Sequence, residues 1–141
     1  MRLMLCLGIF LLTAVAWASA SDQRTTQPTP PLVIESMTGR DSFVFYCAPC
    51  HGRGGTGDGP VAAALKTTPP DLTTLSRRGG GSFPRGEVEA SVTGKGRAVA
   101  AHGSGNMPVW GPIFQALDPS NARVKVRIAN LVEYLESLQA R

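Results

Sequence analysis

The chain has 141 residues, and 16 Gly with 11 Pro make up about a fifth of it, against roughly 12% in an ordinary chain. That excludes an architecture filled by long regular helices or strands, and 6% aromatics is thin for the core such a loop-rich domain must bury. Charged residues at 17% and a formal charge of +4 exclude a charged disordered tail; with no block of like charges they give no support to nucleic-acid binding, and the length allows a single domain.

Leu3 to Ala18 form an almost continuous apolar run after Arg2 and end in Ala18-Ser19-Ala20, an A-x-A-like cleavage pattern. At 1.5 Å rise, sixteen helical residues reach about 24 Å, short of the roughly 30 Å hydrocarbon core. Residues 1–20 are therefore read as a secretory signal peptide cut before Ser21, rather than as an uncleaved anchor. Cys6 lies early in the run, without the small residues or the position of a lipoprotein site. Cleavage removes one of the 14 basic residues and none of the 10 acidic ones, so the charge falls from +4 to +3. Cys47 and Cys50 are then the remaining cysteines, in a compartment outside the cytoplasm.

Residues 21–35, rich in Pro, Thr and Gln, read as a flexible linker, and residues 36–141 as the folded domain. Thr38 or Ser36 can cap a helix running to Cys47. A glycine-rich loop, Gly52 to Gly59, follows. Pro60 suits the start of a short helix over Val61 to Lys66, stopped by Pro69-Pro70. Asp71 to Arg78 forms another, ended by Gly79-Gly80-Gly81. Pro84 to Thr93 is a third, with Val88 and Val92 on one face and Gly94 beyond it. Residues 94–112 read as a Gly/Pro-rich stretch. Asp118-Pro119 is an N-cap with Pro at the first helical position. From there Val124, Ile128, Leu131, Val132, Leu135 and Leu138 form one apolar stripe, with Arg123, Lys125, Arg127, Glu133 and Glu136 off it. No period-two strand pattern of useful length occurs, so the fold class is all-α with long loops.

Cys47-Ala48-Pro49-Cys50-His51 is C-x-x-C-H, the attachment sequence of c-type haem. Two thiols at this spacing on a helix end each reach one haem vinyl group and form thioethers, and the adjacent His supplies an axial imidazole nitrogen. A disulfide within C-x-x-C suits an oxidising compartment. A thioredoxin-like pair lacks its βαβ context, and a Cys₂His₂ zinc site would need His102 and awkward adjacent ligands. Export, the intact motif and the absence of any other mature cysteine favour one covalently bound haem c.

With these residues the sequence resembles the class I cytochromes c, of the monohaem, His/Met-ligated, bacterial periplasmic type, over most of residues 39–138. Gly39 stands eight residues before the first haem cysteine and Phe43 four before it, and Leu131-Val132-Glu133-Tyr134-Leu135 is similar to the family's C-terminal pattern. The resemblance implies that the N- and C-terminal helices cross at Gly39, where Tyr134 approaches. Pro70-Asp71-Leu72 matches a Pro-Asx-Leu segment, which implies that the Pro70 carbonyl accepts a hydrogen bond from His51 Nδ1–H and that Leu72 lies against the ring. Asn106-Met107-Pro108-Val109-Trp110-Gly111 looks like the family's Met-Pro-x-Trp-Gly loop, which makes Met107 the sixth ligand of the iron; the competing reading is a core gap-filler.

Other features carry blander readings. Gly52-Arg53-Gly54-Gly55-Thr56-Gly57 spells G-x-G-x-x-G, but no strand precedes it, so its glycines are read as tight backbone near haem. His102, in a Gly-rich loop, is read as a surface or propionate-contacting residue. Arg77, Arg78, Arg85, Lys95 and Arg97, with Glu87 and Glu89 among them, form either a solvated face, a propionate partner or a docking patch for an acidic protein. Trp110 packs near the Met107 loop, its indole N–H a candidate propionate donor.

A haem with both axial positions filled has no open site for substrate or O₂, which leaves one-electron exchange. The expected function is a periplasmic electron carrier of a respiratory chain, not an enzyme. Its redox partners would be a membrane oxidase, a reductase complex or a periplasmic dehydrogenase, with no nucleic acid and no small-molecule substrate. The alternatives are a cytochrome subunit of a larger dehydrogenase or oxidase, and a haem enzyme or gas sensor whose Met107 is labile.

Overall fold

The computed structural model describes residues 33–95 and 107–140. The signal peptide with Cys6, most of the linker, Arg97 and His102 lie outside the described residues. Every regular element among the described residues is helical, so the fold is all-α. None of these helices is long and apolar enough to cross a membrane.

Thr38 opens the first helix, α1 (Gly39–Ser42). Its backbone is extended and its Oγ1 accepts a 3.1 Å bond from Asp41 N–H, which satisfies one of the donors a helix start leaves orphaned. The chain then widens into one π-helical stretch, Phe43–Cys47, and returns to α geometry in α2 (Ala48–His51). The sequence predicts a plain helix here. Pro49 explains the difference: it has no N–H to give, and in α geometry its ring would crowd the carbonyl four residues back, strain that a wider turn relieves.

The helix expected over 61–66 shrinks to one 3-10 turn, Ala62–Ala64. Leu65 is already extended, and the residue before each proline in Pro69-Pro70 is biased the same way. Asp71 caps a second 3-10 turn, Leu72–Thr74, through a 2.8 Å bond from Thr73 N–H, and α3 (Leu75–Arg78) follows to stop at Gly79. α4 (Arg85–Thr93) keeps the expected span, with Pro84 just before it and Gly94 left-handed after it at φ 74°.

α5 (Trp110–Leu117) is an element the sequence reading lacks. Gly111-Pro112 looked like a breaker, yet Pro112 falls in the first turn, where an N–H is not needed. α6 (Asn121–Ser137) begins after Ser120, two residues later than expected. Asp118 serves the approach instead. It accepts from Ser120 N–H at 2.8 Å and takes both Arg123 Nε and Nη2 at 2.8 Å.

The core forms where α6 meets the rest. Phe43 and Leu131 are fully buried, and Val132, Phe114 and Val92 nearly so. α1 lies against α6 because Gly39 has no side chain. A Cβ there would sit 2.6 Å from the Asn130 carbonyl carbon and 2.7 Å from Tyr134 Cβ. Asn130 Nδ2 also donates to the Met37 carbonyl at 2.7 Å, and the Phe43 and Tyr134 rings meet at 5.4 Å between centroids.

Two expectations are corrected. Ile34, assigned to the flexible linker by composition, packs on the core, and its N–H donates to Tyr46 Oη at 3.3 Å. Arg127, placed on the solvent side of α6, is only 4% exposed. Its guanidinium donates to the Ile34 carbonyl at 2.9 Å, the Ser36 carbonyl at 2.8 Å and Ser42 Oγ at 3.3 Å. It also stands 5.9 Å from the Phe114 ring centroid. The stripe on α6 therefore includes a cation, held by acceptors that the N-terminal segment brings to it.

Candidate cofactor site

α2 ends at His51, so the carbonyls of its last turn lack partners within the helix. The glycine-rich loop supplies them. Gly57 N–H donates to the His51 carbonyl at 2.8 Å, Gly59 N–H to Cys50 at 3.1 Å and Val61 N–H to Pro49 at 3.0 Å. The loop thus folds back over the helix end that carries the cysteines. Gly57 has φ 89°, and a Cβ there would run into the Pro69 carbonyl. Leu72 N–H closes the arrangement on the Gly55 carbonyl at 2.7 Å. The G-x-G-x-x-G run is tight backbone that presses the Pro69-Pro70-Asp71-Leu72 segment toward His51.

The consequence is one contact at the centre of the site. His51 Nδ1 lies 3.3 Å from the Pro70 carbonyl oxygen. A carbonyl only accepts, so the contact requires the proton on Nδ1 and assigns the lone pair to Nε2. That tautomer is the one a metal-ligating histidine with an oriented second nitrogen adopts. His51 itself is buried.

Around it opens a cavity of about 490 Å³, in the range of roughly 300–1,000 Å³ found for cofactor-sized sites. Cys47, Cys50, His51, Pro70, Leu72, Met107 and Trp110 all line it. The sequence reading had set these seven residues around one group, although they span the chain from Cys47 to Trp110. Gly39, Phe43 and Tyr134 stand outside the cavity, at the meeting of α1 with α6. The rest of the wall is almost wholly apolar: Leu65 and Leu75 on one part of the chain, Val88 and Val92 from α4, Ile113 and Leu117 from α5, Leu135 from α6. Sequence reasoning had named Val88, Val92 and Leu135 only as helix faces, and the Ile113–Leu117 pair was lost with α5 itself. Tyr46 lines the cavity too, and its ring meets Trp110 at 5.2 Å and Phe114 at 5.0 Å.

Cys47 and Cys50 are free thiols. Burial, with Cys50 beside it, pushes the Cys47 thiol up to about 12. Cys47 is thus held neutral in an apolar wall, while Cys50 is half-buried at the rim. Among the described residues no group of three or more His, Cys, Asp or Glu side chains is placed to hold a metal ion.

The basic residues singled out in the sequence stand away from the cavity. Arg77, Arg78, Arg85 and Lys95 are exposed and none lines it. Arg85 pairs with Glu136, and Arg78 donates to the Asp71 carbonyl at 2.9 Å. The solvated-face reading describes these four.

The residues present fit a flat apolar macrocycle carrying a metal. Two thiols three residues apart, an imidazole held by a carbonyl and a thioether share one largely apolar cavity, with Thr67 and Ser91 among the few other polar residues of its wall. No family model, curated protein or solved structure matches the chain.

Proposed function

We propose that the protein is a periplasmic c-type cytochrome of the class I kind and works as a one-electron carrier. Cys47 and Cys50 hold one haem c covalently, and His51 and Met107 ligate its iron. The observation that carries this reading is the convergence of Cys47, Cys50, His51 and Met107 on one apolar cavity, with His51 oriented by Pro70.

The haem supplies a one-electron iron couple. What the chain does is hold and tune it. The Pro70 carbonyl fixes the His51 ring and raises the basicity of its ligating nitrogen. The thioether of Met107 is a soft neutral ligand that favours the reduced metal, so a His/Met pair gives a high potential. The apolar wall excludes water, and that low dielectric resists added charge on the metal. With His51 and Met107 both holding its iron, the haem would offer a substrate no open site and would serve to pass an electron to a docked partner. The formal charge of +3 after export allows modest steering toward an acidic redox protein, a membrane oxidase, a reductase complex or a dehydrogenase.

A redox-difference spectrum of the protein matured in a host that attaches haem c tests this directly. The expected result is a low-spin c-type spectrum with a Met–iron charge-transfer band in the oxidised form. A high-spin oxidised spectrum, or rapid CO binding without denaturant, would contradict the carrier reading.

A further inference from the structure

Arg127 is a buried cation that forms no ion pair among the described residues. It is 4% exposed, and its hydrogen bonds go to two backbone carbonyls and one hydroxyl. Among the described residues no Asp or Glu lies within salt-bridge reach of it. Asp118 feels its charge but is engaged by Arg123 through both carboxylate oxygens. Arginine does not shed its proton at any working pH, so a full positive charge is fixed inside the fold. The carbonyls and the Phe114 face solvate that charge without cancelling it.

The position of this charge relative to the cavity matters. The Arg127 guanidinium sits 5.9 Å from the Phe114 ring centroid. Phe114 in turn stacks on Trp110 at 5.6 Å and meets Tyr46 edge-on at 5.0 Å, and both of those rings line the cavity. Aromatic side chains thus connect the cation to the cavity wall. Phe114 is 2% exposed and Arg127 4%, so salt screens this charge less than it screens charges on the surface.

Resting on the haem reading above, we propose that Arg127 is a potential-setting residue: its buried charge, held by carbonyls and a hydroxyl rather than by a carboxylate, opposes the extra positive charge of the oxidised iron and raises the reduction potential. A unit charge acting across roughly 10 Å at the effective dielectric of a protein site shifts a one-electron equilibrium about tenfold, or about 59 mV. The carbonyls of Ile34 and Ser36 hold the guanidinium at this buried position.

The test is potentiometric titration of the haem-loaded protein in wild-type, Arg127→Gln, Arg127→Lys and Ser42→Asp forms, with denaturant unfolding of the ferric and ferrous states alongside. Arg127→Gln removes the charge and keeps a hydrogen-bonding head. Ser42→Asp leaves the arginine in place and sets a carboxylate against it. Both are expected to lower the potential by an amount corresponding to about a tenfold change in the oxidised-to-reduced ratio, with Arg127→Lys staying near wild type. The gap between ferrous and ferric unfolding midpoints should narrow in the same two variants. Should Arg127→Gln fail to accumulate, Ser42→Asp carries the comparison. Unchanged potential in a variant that keeps the wild-type spectrum overturns the proposal and leaves the haem reading standing. A wild-type protein that matures without covalent haem refutes the haem reading itself before any variant is compared.

Discussion

Met107 illustrates what a single residue does here. A methionine in a cavity wall is ordinarily a flexible filler, but this one shares its cavity with a histidine whose tautomer is fixed for ligation. Met107→Ala is therefore expected to retain the covalent haem while losing the low-spin His/Met spectrum and lowering the potential; an unchanged oxidised spectrum would remove Met107 from the ligand set. Three surface carboxylates make a different residue-level statement. Hydrogen bonds from Ser36 and Thr38 hold Asp41 below the usual carboxylate value, Thr73 does so for Asp71, and Arg123 for Asp118. Each depressed group adds stability that is complete above its unfolded value of about 3.9 and is lost as pH falls through the lower folded value. Thermal unfolding followed between pH 6 and pH 2 should thus show a roughly flat midpoint down to about pH 4 and a decline below it. A decline already complete above pH 5 would point to other groups.

At the scale of elements, the meeting of α1 with α6 is decided by one missing side chain. A Cβ at Gly39 meets backbone at Asn130, which cannot swing aside as a flexible side chain would. Gly39→Ala is expected to cost about 1–3 kcal/mol in denaturant unfolding, the range for forced overpacking, and Leu131→Ala, at a fully buried position beneath it, about 2–5 kcal/mol. An Ala variant at residue 39 as stable as wild type would mean the two helices meet elsewhere. This part of the fold was legible, because the Thr38 cap and the α6 stripe are local signals and the family resemblance pointed to Gly39 as the crossing. Three things were not. α5 was hidden because Gly111-Pro112 reads as a stop unless one knows that it occupies a first turn. The start of α6 moved because Ser120 outcompeted Asp118, whose carboxylate was drawn to Arg123. Arg127 was assigned to solvent on its charge alone, and no local signal reveals that Ile34 and Ser36, more than ninety positions earlier, arrive to satisfy it.

For the whole molecule, the composition that opened the account becomes intelligible. A fifth of the chain is Gly and Pro and few residues are aromatic, and the described fold is helices and tight loops around a cavity of about 490 Å³. The cysteines and histidine of that cavity were readable because C-x-x-C-H is a short motif of fixed spacing. Its apolar wall was not, since Leu65, Leu75, Ile113 and Leu117 carry no motif and meet only through tertiary packing. On this account the cofactor is a structural part of the core. Cys50→Ala, which weakens attachment, is expected to leave the chain without a cooperative thermal transition; a well-folded haem-free variant would show that the polypeptide closes its own core. The central claim is that one haem is bound through both cysteines of the Cys47–His51 segment, and the intact mass of the protein matured in a haem c-attaching host, read together with its pyridine haemochrome spectrum, tests it most directly. The account predicts a mass increased by one haem and a haemochrome band of the two-thioether type. An unmodified mass, or haem that an acidic solvent extracts, would contradict it.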